Sequence, residues 1–337
     1  MMHWELARGA KVLVEYVCNL REGENVLIYT DTSGDLLAAS YLAAAAYAAG
    51  GVVSLLVYET PPRVDMEPPP PLAAAMTRAD LLIELAEKYL IHTRAYLEAL
   101  KSARILCLTG MTCEMMHRCV SHVNYPKMLE FGERLTNLLK QGHTLEIRTA
   151  AGTDLVCELG GRVEHNAGRI FKAGQETYLG GQVSCYPVKD SINGIIVFDG
   201  VVWPPEDLGV LREPIILKIR KGEIEKIEGG HAAARLRLWL KSFEDPNMFM
   251  IAHISFGFNP GARLTGKILE DERVFGCVEV GIGSQVPSFE VGLASAHTDG
   301  VVLTPTIKLN NAVIEEAGRF VHPELKEIAE ALIKNIP

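Results

Sequence analysis

The sequence predicts an α/β chain in two parts. An N-terminal Rossmann-like domain rests on a parallel sheet, and a C-terminal α+β domain carries a bent or barrel-like sheet. Three observations lead there. In the first third, continuous apolar runs are set between helical patterns, as a parallel sheet covered on both faces requires. From Thr144 onward the runs shorten, alternate, and are punctuated by the pairs Gly160-Gly161, Gly180-Gly181 and Gly229-Gly230. The length of 337 residues also makes two domains at roughly 100–200 residues each. The boundary is placed near Gly142, giving domains over 1–142 and 143–337.

Taken in order, an amphipathic helix over Glu5 to Cys18 precedes the apolar run Asn25 to Thr30. Asp31-Thr-Ser-Gly-Asp35 supplies turn and cap residues before an alanine-rich helix. The stretch Leu36 to Tyr58 has no charge and is long enough on length alone to span a membrane. Its middle, however, is mostly alanine and glycine, and Gly50-Gly51 splits it. A buried helix, a glycine turn and a buried strand over Val52 to Tyr58 are expected instead. After a proline-rich connection, a helix starts near Leu72. Asp80 to Glu84 and Arg104 to Thr109 read as further buried strands, and a helix runs from Pro126 to Leu139. Beyond the boundary, Thr144 to Arg148, Gly194 to Phe198 and Ile215 to Ile219 alternate as strands do. One helix spans His231 to Phe243, and another closes the chain over His322 to Ile336.

Composition narrows the function. Hydrophobic residues make up 48% and charged ones 22%, which excludes disordered and low-complexity classes. The net charge of −9 with no basic run argues against nucleic-acid binding. The seven cysteines form no CxxC pair, which suits reduced thiols and a cytoplasmic address. Glu5 and Glu15 deny the N-terminus a signal-peptide character. The Asp31-Thr-Ser-Gly loop follows a strand, as a nucleotide loop does, yet it lacks the G-x-G-x-x-G fingerprint, and no P-loop occurs. The expected partners are a small-molecule substrate, with no nucleic acid and no membrane.

Three segments hold candidate chemistry. In Ser295-Ala-His297-Thr-Asp299-Gly300, residues two apart on an extended chain project to one side, so His297 and Asp299 are placed to share a metal ion. Alone, the pattern equally describes a turn with a solvated histidine. His253 lies in the strand-like Ile251 to Asn259, where a lone histidine is commonly a core residue. Glu279 interrupts the apolar Gly276 to Gly283, where an ionised carboxylate must be paired, metal-bound or at the surface. Together, two histidines and a carboxylate match the facial triad of non-haem iron(II) enzymes. The same ligand types hold zinc with a reactive water, and spacing does not choose between the metals.

The path IAHISFGFNPGARLTGKILEDERVFGCVEVGIGS…AHTDGVVLTPT resembles the aminopeptidase-T-like superfamily, which includes the M29 metallopeptidases. The likeness extends through GTDLVCELGGR, DSINGIIVFDG and LREGENVLIYTDT, and so over most of the chain. The resemblance implies that His297 and Asp299 are metal ligands. It also implies that His253 stands where the peptidase branch has a glutamate, Glu279 where that branch has a histidine, and Gln182 where it has another glutamate. Two cations need several carboxylates to offset their repulsion, so neutral residues at 253 and 182 disfavour a two-metal peptidase. The ligand pattern is similar to the branch of 2,5-dihydroxypyridine 5,6-dioxygenase, with the set His253, His297 and Asp299.

That branch implies an iron(II)-dependent, ring-cleaving, extradiol-type dioxygenase acting on a hydroxylated N-heteroaromatic or related phenol, with dioxygen as co-substrate. The alternative is an M29-like aminopeptidase or amidase using zinc or cobalt. Under the dioxygenase reading Glu279 is the first candidate for acid/base work, with His117 and His165 behind it. Arg162 or Arg169 would pair a substrate carboxylate, and Gln182 joins the substrate candidates. The histidine-rich pocket expected for a dihydroxypyridine is not evident between Gly180 and Gly200, where Cys185, Tyr186, Lys189 and Asp190 stand. The superfamily further implies a homo-oligomer.

Overall fold

The computed structural model describes residues 3–165, 168–284 and 294–334. The chain divides into two units. The first begins with α1 (His3–Lys11), continued by a wider turn over Val12–Val17. It goes on through β1 (Asn25–Asp31), α2 (Leu36–Ala48), β2 (Val52–Tyr58), α3 (Pro70–Met76), β3 (Leu81–Glu84), α4 (Arg94–Leu100), β4 (Arg104–Cys107) and α5 (Cys113–Met116). Strand neighbours pair in parallel in the order β2-β1-β3-β4. Caps fix the helix starts: the Asp35 carboxylate accepts from the N–H groups of Leu37 and Ala38, and the Thr93 hydroxyl from that of Tyr96.

The parallel sheet agrees with the sequence reading, but one expectation about it needs correction. Val52 to Tyr58 is a strand, yet it lies at the sheet edge, and Val52, Leu55 and Val57 are exposed, as are Leu36, Leu37 and Tyr47 of α2. An apolar run therefore marks this strand without marking its burial.

At the carboxyl end of β3, Glu84 is fully buried. Tyr29 and Thr109 donate hydroxyl hydrogen bonds to its carboxyl group, each at 3.2 Å. Burial nevertheless pushes its pKa up to about 8.

The second unit begins inside α6 (Tyr125–Lys140), at Pro126, and not at Gly142. The reason is packing: Phe131 lies 4.8 Å from Phe258 and 4.8 Å from Phe320, ring centre to ring centre, and both partners belong to the second unit. Such aromatic pairs contribute about 0.5–1.5 kcal/mol each beyond the area they bury. Next come β5 (Thr144–Arg148) and β6 (Asp154–Glu164), after which the chain returns to the first unit for β7 (Glu176–Thr177), parallel to β4.

The remainder belongs to the second unit. It comprises β8 (Gln182–Pro187), β9 (Asn193–Phe198), β10 (Val201–Trp203), β11 (Gly209–Val210), β12 (Ile215–Arg220), β13 (Glu223–Gly229) and α7 (His231–Lys241). Then follow β14 (Ile251–Gly257), α8 (Ile268–Asp271), β15 (Cys277–Gly283), β16 (His297–Val302), β17 (Thr306–Leu309), β18 (Ala312–Glu316), β19 (Arg319–Phe320) and α9 (Pro323–Ile333). The strands form one antiparallel sheet along β11-β10-β16-β15-β14-β8-β6-β5-β17-β18-β19, with β9, β12 and β13 branching from β6. The sheet branches at β6, and among the described residues it does not close into a barrel. The expected end of the last helix at Ile336 lies outside the described residues.

Among the described residues no helix is long and apolar enough to cross a membrane. All seven cysteines are buried, and none is in a disulfide.

Candidate metal centre

Four neighbouring strands, β8, β14, β15 and β16, set out the centre. Side chains alternate across a sheet, so His253 and Ser255 of β14, Glu279 and Gly281 of β15, and His297 and Asp299 of β16 share one face. The register puts His253 opposite Gly281 and Gly281 opposite Asp299, a single row across three strands. Glycine leaves the middle of that row without a side chain. A Cβ there would lie 2.6 Å from Nδ1 and 2.8 Å from Nε2 of His253, so the imidazole occupies the space an alanine would fill.

His253 and Asp299 lean over Gly281 until Nε2 and Oδ1 are 3.7 Å apart. His297 Nε2 is 2.8 Å from the same Oδ1, and the two imidazoles stack with centres 5.2 Å apart at 19°. One donor atom from each of His253, His297 and Asp299 lies within 4.8 Å of the others. His297 Nδ1 donates to the Ser284 carbonyl at 2.7 Å. That bond fixes the ring orientation and turns Nε2 toward Asp299 Oδ1, where a bound metal ion would displace the proton held between them. The donor set therefore fits a single divalent ion on three protein ligands with further positions open.

Electrostatics favour a cation. Glu279 is fully buried, its Oε2 3.1 Å from His253 Nε2 and 3.5 Å from the Gln182 amide nitrogen, which donates to it. Burial, then the charges of Asp299 and Glu272, push Glu279 well above the usual carboxylate range. Burial alone would raise Asp299 too, yet His297 and then His253 hold it down at about 2. His253 is lowered by burial, whereas Asp299 raises His297 against burial. Arg273 pairs with Glu272, which leaves Asp299 and Glu279 for the two imidazoles and whatever ion they hold. Buried charges need such partners.

Other residues named from sequence fall in several places. Arg162 lies 4.0 Å over the Tyr186 ring and pairs with Glu164 at 2.8 Å. Tyr186 donates its hydroxyl to Glu164 at 3.0 Å, and its ring centre is 6.0 Å from that of His253. Arg162 thus stands behind a tyrosine that faces the metal ligands. His165 is half-buried, its Nε2 set against Gly132 of α6 without a hydrogen-bond partner, and burial lowers its pKa to about 4. Arg169 and His117 belong to the first unit. Arg169 donates to the Tyr16 carbonyl at 2.7 Å and stacks on Tyr16 and Phe171. His117 sits beside His122 and Glu5.

Sequence reasoning gave no role to Gly281, Tyr186, Glu164 or Glu272. Period-two alternation from Glu279 points to Gly281, and the acidic run ending at Glu272 was visible. Nothing local marks Tyr186 and Glu164, which meet only through strand pairing.

Comparison with known proteins separates the two enzyme branches. A model of the NicX family, described as 2,5-dihydroxypyridine 5,6-dioxygenase, matches residues 12–322. The chain belongs to this family. It is an enzyme, a ring-cleaving dioxygenase, and the aminopeptidase alternative is not favoured. A 2,5-dihydroxypyridine 5,6-dioxygenase of Pseudomonas putida KT2440 is 28% identical over 266 residues, covering 74% of this chain and 73% of the relative.

Two solved structures share the fold. The 2,5-dihydroxypyridine dioxygenase of P. putida KT2440 superposes with a TM-score of 0.81 at 21% identity, covering 96% of this chain and 99% of the other. AmpT from Thermus thermophilus follows with a TM-score of 0.67 at 15% identity, covering 94% and 99%. Both neighbours share the fold, and the family match falls on the dioxygenase side.

Proposed function

We propose that this NicX-family enzyme uses iron(II), held by His253, His297 and Asp299, to open the ring of a hydroxylated N-heteroaromatic such as 2,5-dihydroxypyridine, with dioxygen as co-substrate. The observation that carries this reading is the convergence of His253 Nε2, His297 Nε2 and Asp299 Oδ1 above Gly281, with His297 locked by the Ser284 carbonyl. Two imidazoles and one carboxylate with open positions suit a non-haem iron(II) oxygenase. A bound iron(II) supplies Lewis acidity toward a ring hydroxyl and one-electron chemistry toward dioxygen.

The protein supplies position and proton control. Glu279, beside His253 and bonded by Gln182, is suited to carry a proton between solvent-free groups. We assign this work to Glu279 in preference to His165, whose described contacts are with α6 and Phe258, and to His117 of the first unit. Tyr186 offers a flat, buried wall for an aromatic ring. Arg162 behind it offers a cation to a substrate carboxylate or oxyanion. Holding ring and co-substrate in contact is itself a large part of catalysis.

The free buried thiols support a cytoplasmic location, and the exposed apolar edge at β2 and α2 supports assembly with further copies of the chain. The test is oxygen uptake after anaerobic loading with Fe2+. The enzyme should consume dioxygen with hydroxypyridines, and the His297→Ala variant should neither bind iron nor turn over. Hydrolysis of peptides with Zn2+ or Co2+, without oxygen consumption, would overturn the assignment.

A further inference from the structure

We propose that Glu5, His117 and His122, in the first unit, form a second metal site that takes Zn2+ or a similar divalent transition ion. In a regular α-helix, residues five apart lie about 140° from each other around the axis. Residues His117–Ser121 instead wind as a wider turn with i to i+5 spacing. That turn brings the two imidazoles together, with centres 4.4 Å apart at 78°.

Both rings turn a nitrogen toward one carboxylate of α1. His117 Nδ1 is 3.9 Å from Glu5 Oε2, and His122 Nε2 is 3.6 Å from Glu5 Oε1. These separations are too long for hydrogen bonds, and the same two ring nitrogens are buried without a hydrogen-bond partner. They suit ligands of a common ion: donors about 2.0–2.2 Å from a zinc ion stand roughly 3–4 Å apart. One donor atom from each residue lies within 4.8 Å of the others.

The backbone holds the ligands in place. Gly9 of α1 packs so closely on Ser121 that a Cβ would come within 2.5 Å of its Oγ. Ser121 Oγ in turn donates to the Met116 carbonyl at 3.3 Å, and the Thr112 hydroxyl caps α5 by accepting from Met115 N–H at 3.1 Å. Two imidazoles with one carboxylate select zinc, cobalt or nickel over magnesium and calcium. The side chains keep between 23% and 29% exposure, so solvent reaches the remaining positions. An ion here would tie α1 to residues 117–122, a structural role independent of the His253 centre.

The experiment uses untagged protein stripped with chelator and titrated with Zn2+, with metal content and thermal unfolding as readouts. The wild type should take two ions per chain, and a His117→Gln/His122→Gln variant one. His253→Ala/His297→Ala, which removes both imidazoles of the other centre, should keep one ion and a Zn2+-dependent rise in Tm. Adding Glu5→Gln to that chain should weaken the remaining ion at least tenfold, with the far-ultraviolet circular dichroism unchanged. A His253→Ala/His297→Ala chain that takes no ion, or a His117→Gln/His122→Gln chain that binds as many ions as the wild type, would overturn the proposal.

Discussion

Replacing Gly281 by alanine should disable the metal centre through a single methyl group. The backbone of Gly281 is not in the left-handed region, so alanine brings no conformational strain there. Its Cβ, however, would lie 2.6 Å from Nδ1 and 2.8 Å from Nε2 of His253. Carbon and its neighbours settle at about 3.5–4.0 Å, so the imidazole must retreat by roughly 1 Å. A metal–nitrogen bond tolerates about 0.2 Å of error, several times less than that retreat. The loss in metal affinity should be at least the roughly 10–100-fold seen when only an outer partner of a ligand is disturbed. The cost to folding should be modest, about 1–3 kcal/mol, as for other overpacked sites. Anaerobic Fe2+ titration gives the affinity, and thermal unfolding of the stripped protein gives the stability. A Gly281→Ala protein that binds iron as the parent does would show that the His253 ring is not seated over Gly281, and the ligand set would fall with it.

Glu84→Gln tests the buried acid of the first unit. Its pKa is raised from 4.5 to about 8 in the folded state, so the folded form keeps a proton that the unfolded chain loses. Stability from this group is therefore full below about pH 4.5 and declines up to about pH 8, by about 5 kcal/mol at most. The variant should flatten the fall in Tm across that window, and an unchanged profile would refute the assignment. Gly132→Ala should destabilise by about 1–3 kcal/mol in urea unfolding, because its methyl group would meet the His165 ring. Glu279→Gln should leave iron binding measurable while lowering kcat by about 100-fold or more in oxygen uptake, as loss of an acid/base group does. Chelation should abolish oxygen uptake, with Fe2+ restoring it and Zn2+ failing to.

What the sequence made legible follows the range of the interactions concerned. The parallel strands are spelled in consecutive apolar residues such as Leu81, Leu82 and Ile83, and the pair His297/Asp299 sits on one face because a strand repeats every two residues. His253 joined them only by type and resemblance, since its place over Gly281 depends on the register of β14 against β15. The unit boundary escaped because α6 looks like any amphipathic helix, and its allegiance rests on Phe258 and Phe320, more than a hundred residues away. The exposure of β2 escaped for a related reason: an edge strand differs from a central one in what lies beside it. His117 and His122 are five apart, a spacing that matches neither helix nor strand, so their meeting required the wider turn to be seen.

The row His253–Gly281–Asp299 also bears on how such a scaffold diversifies. The distance across it is fixed by hydrogen bonds between main chains, which do not depend on what position 253 carries. Exchanging the donor at that one position would alter the charge offered to an ion while leaving the surrounding ladder intact. The row is thus a socket in which the fitting is replaceable and the frame is not.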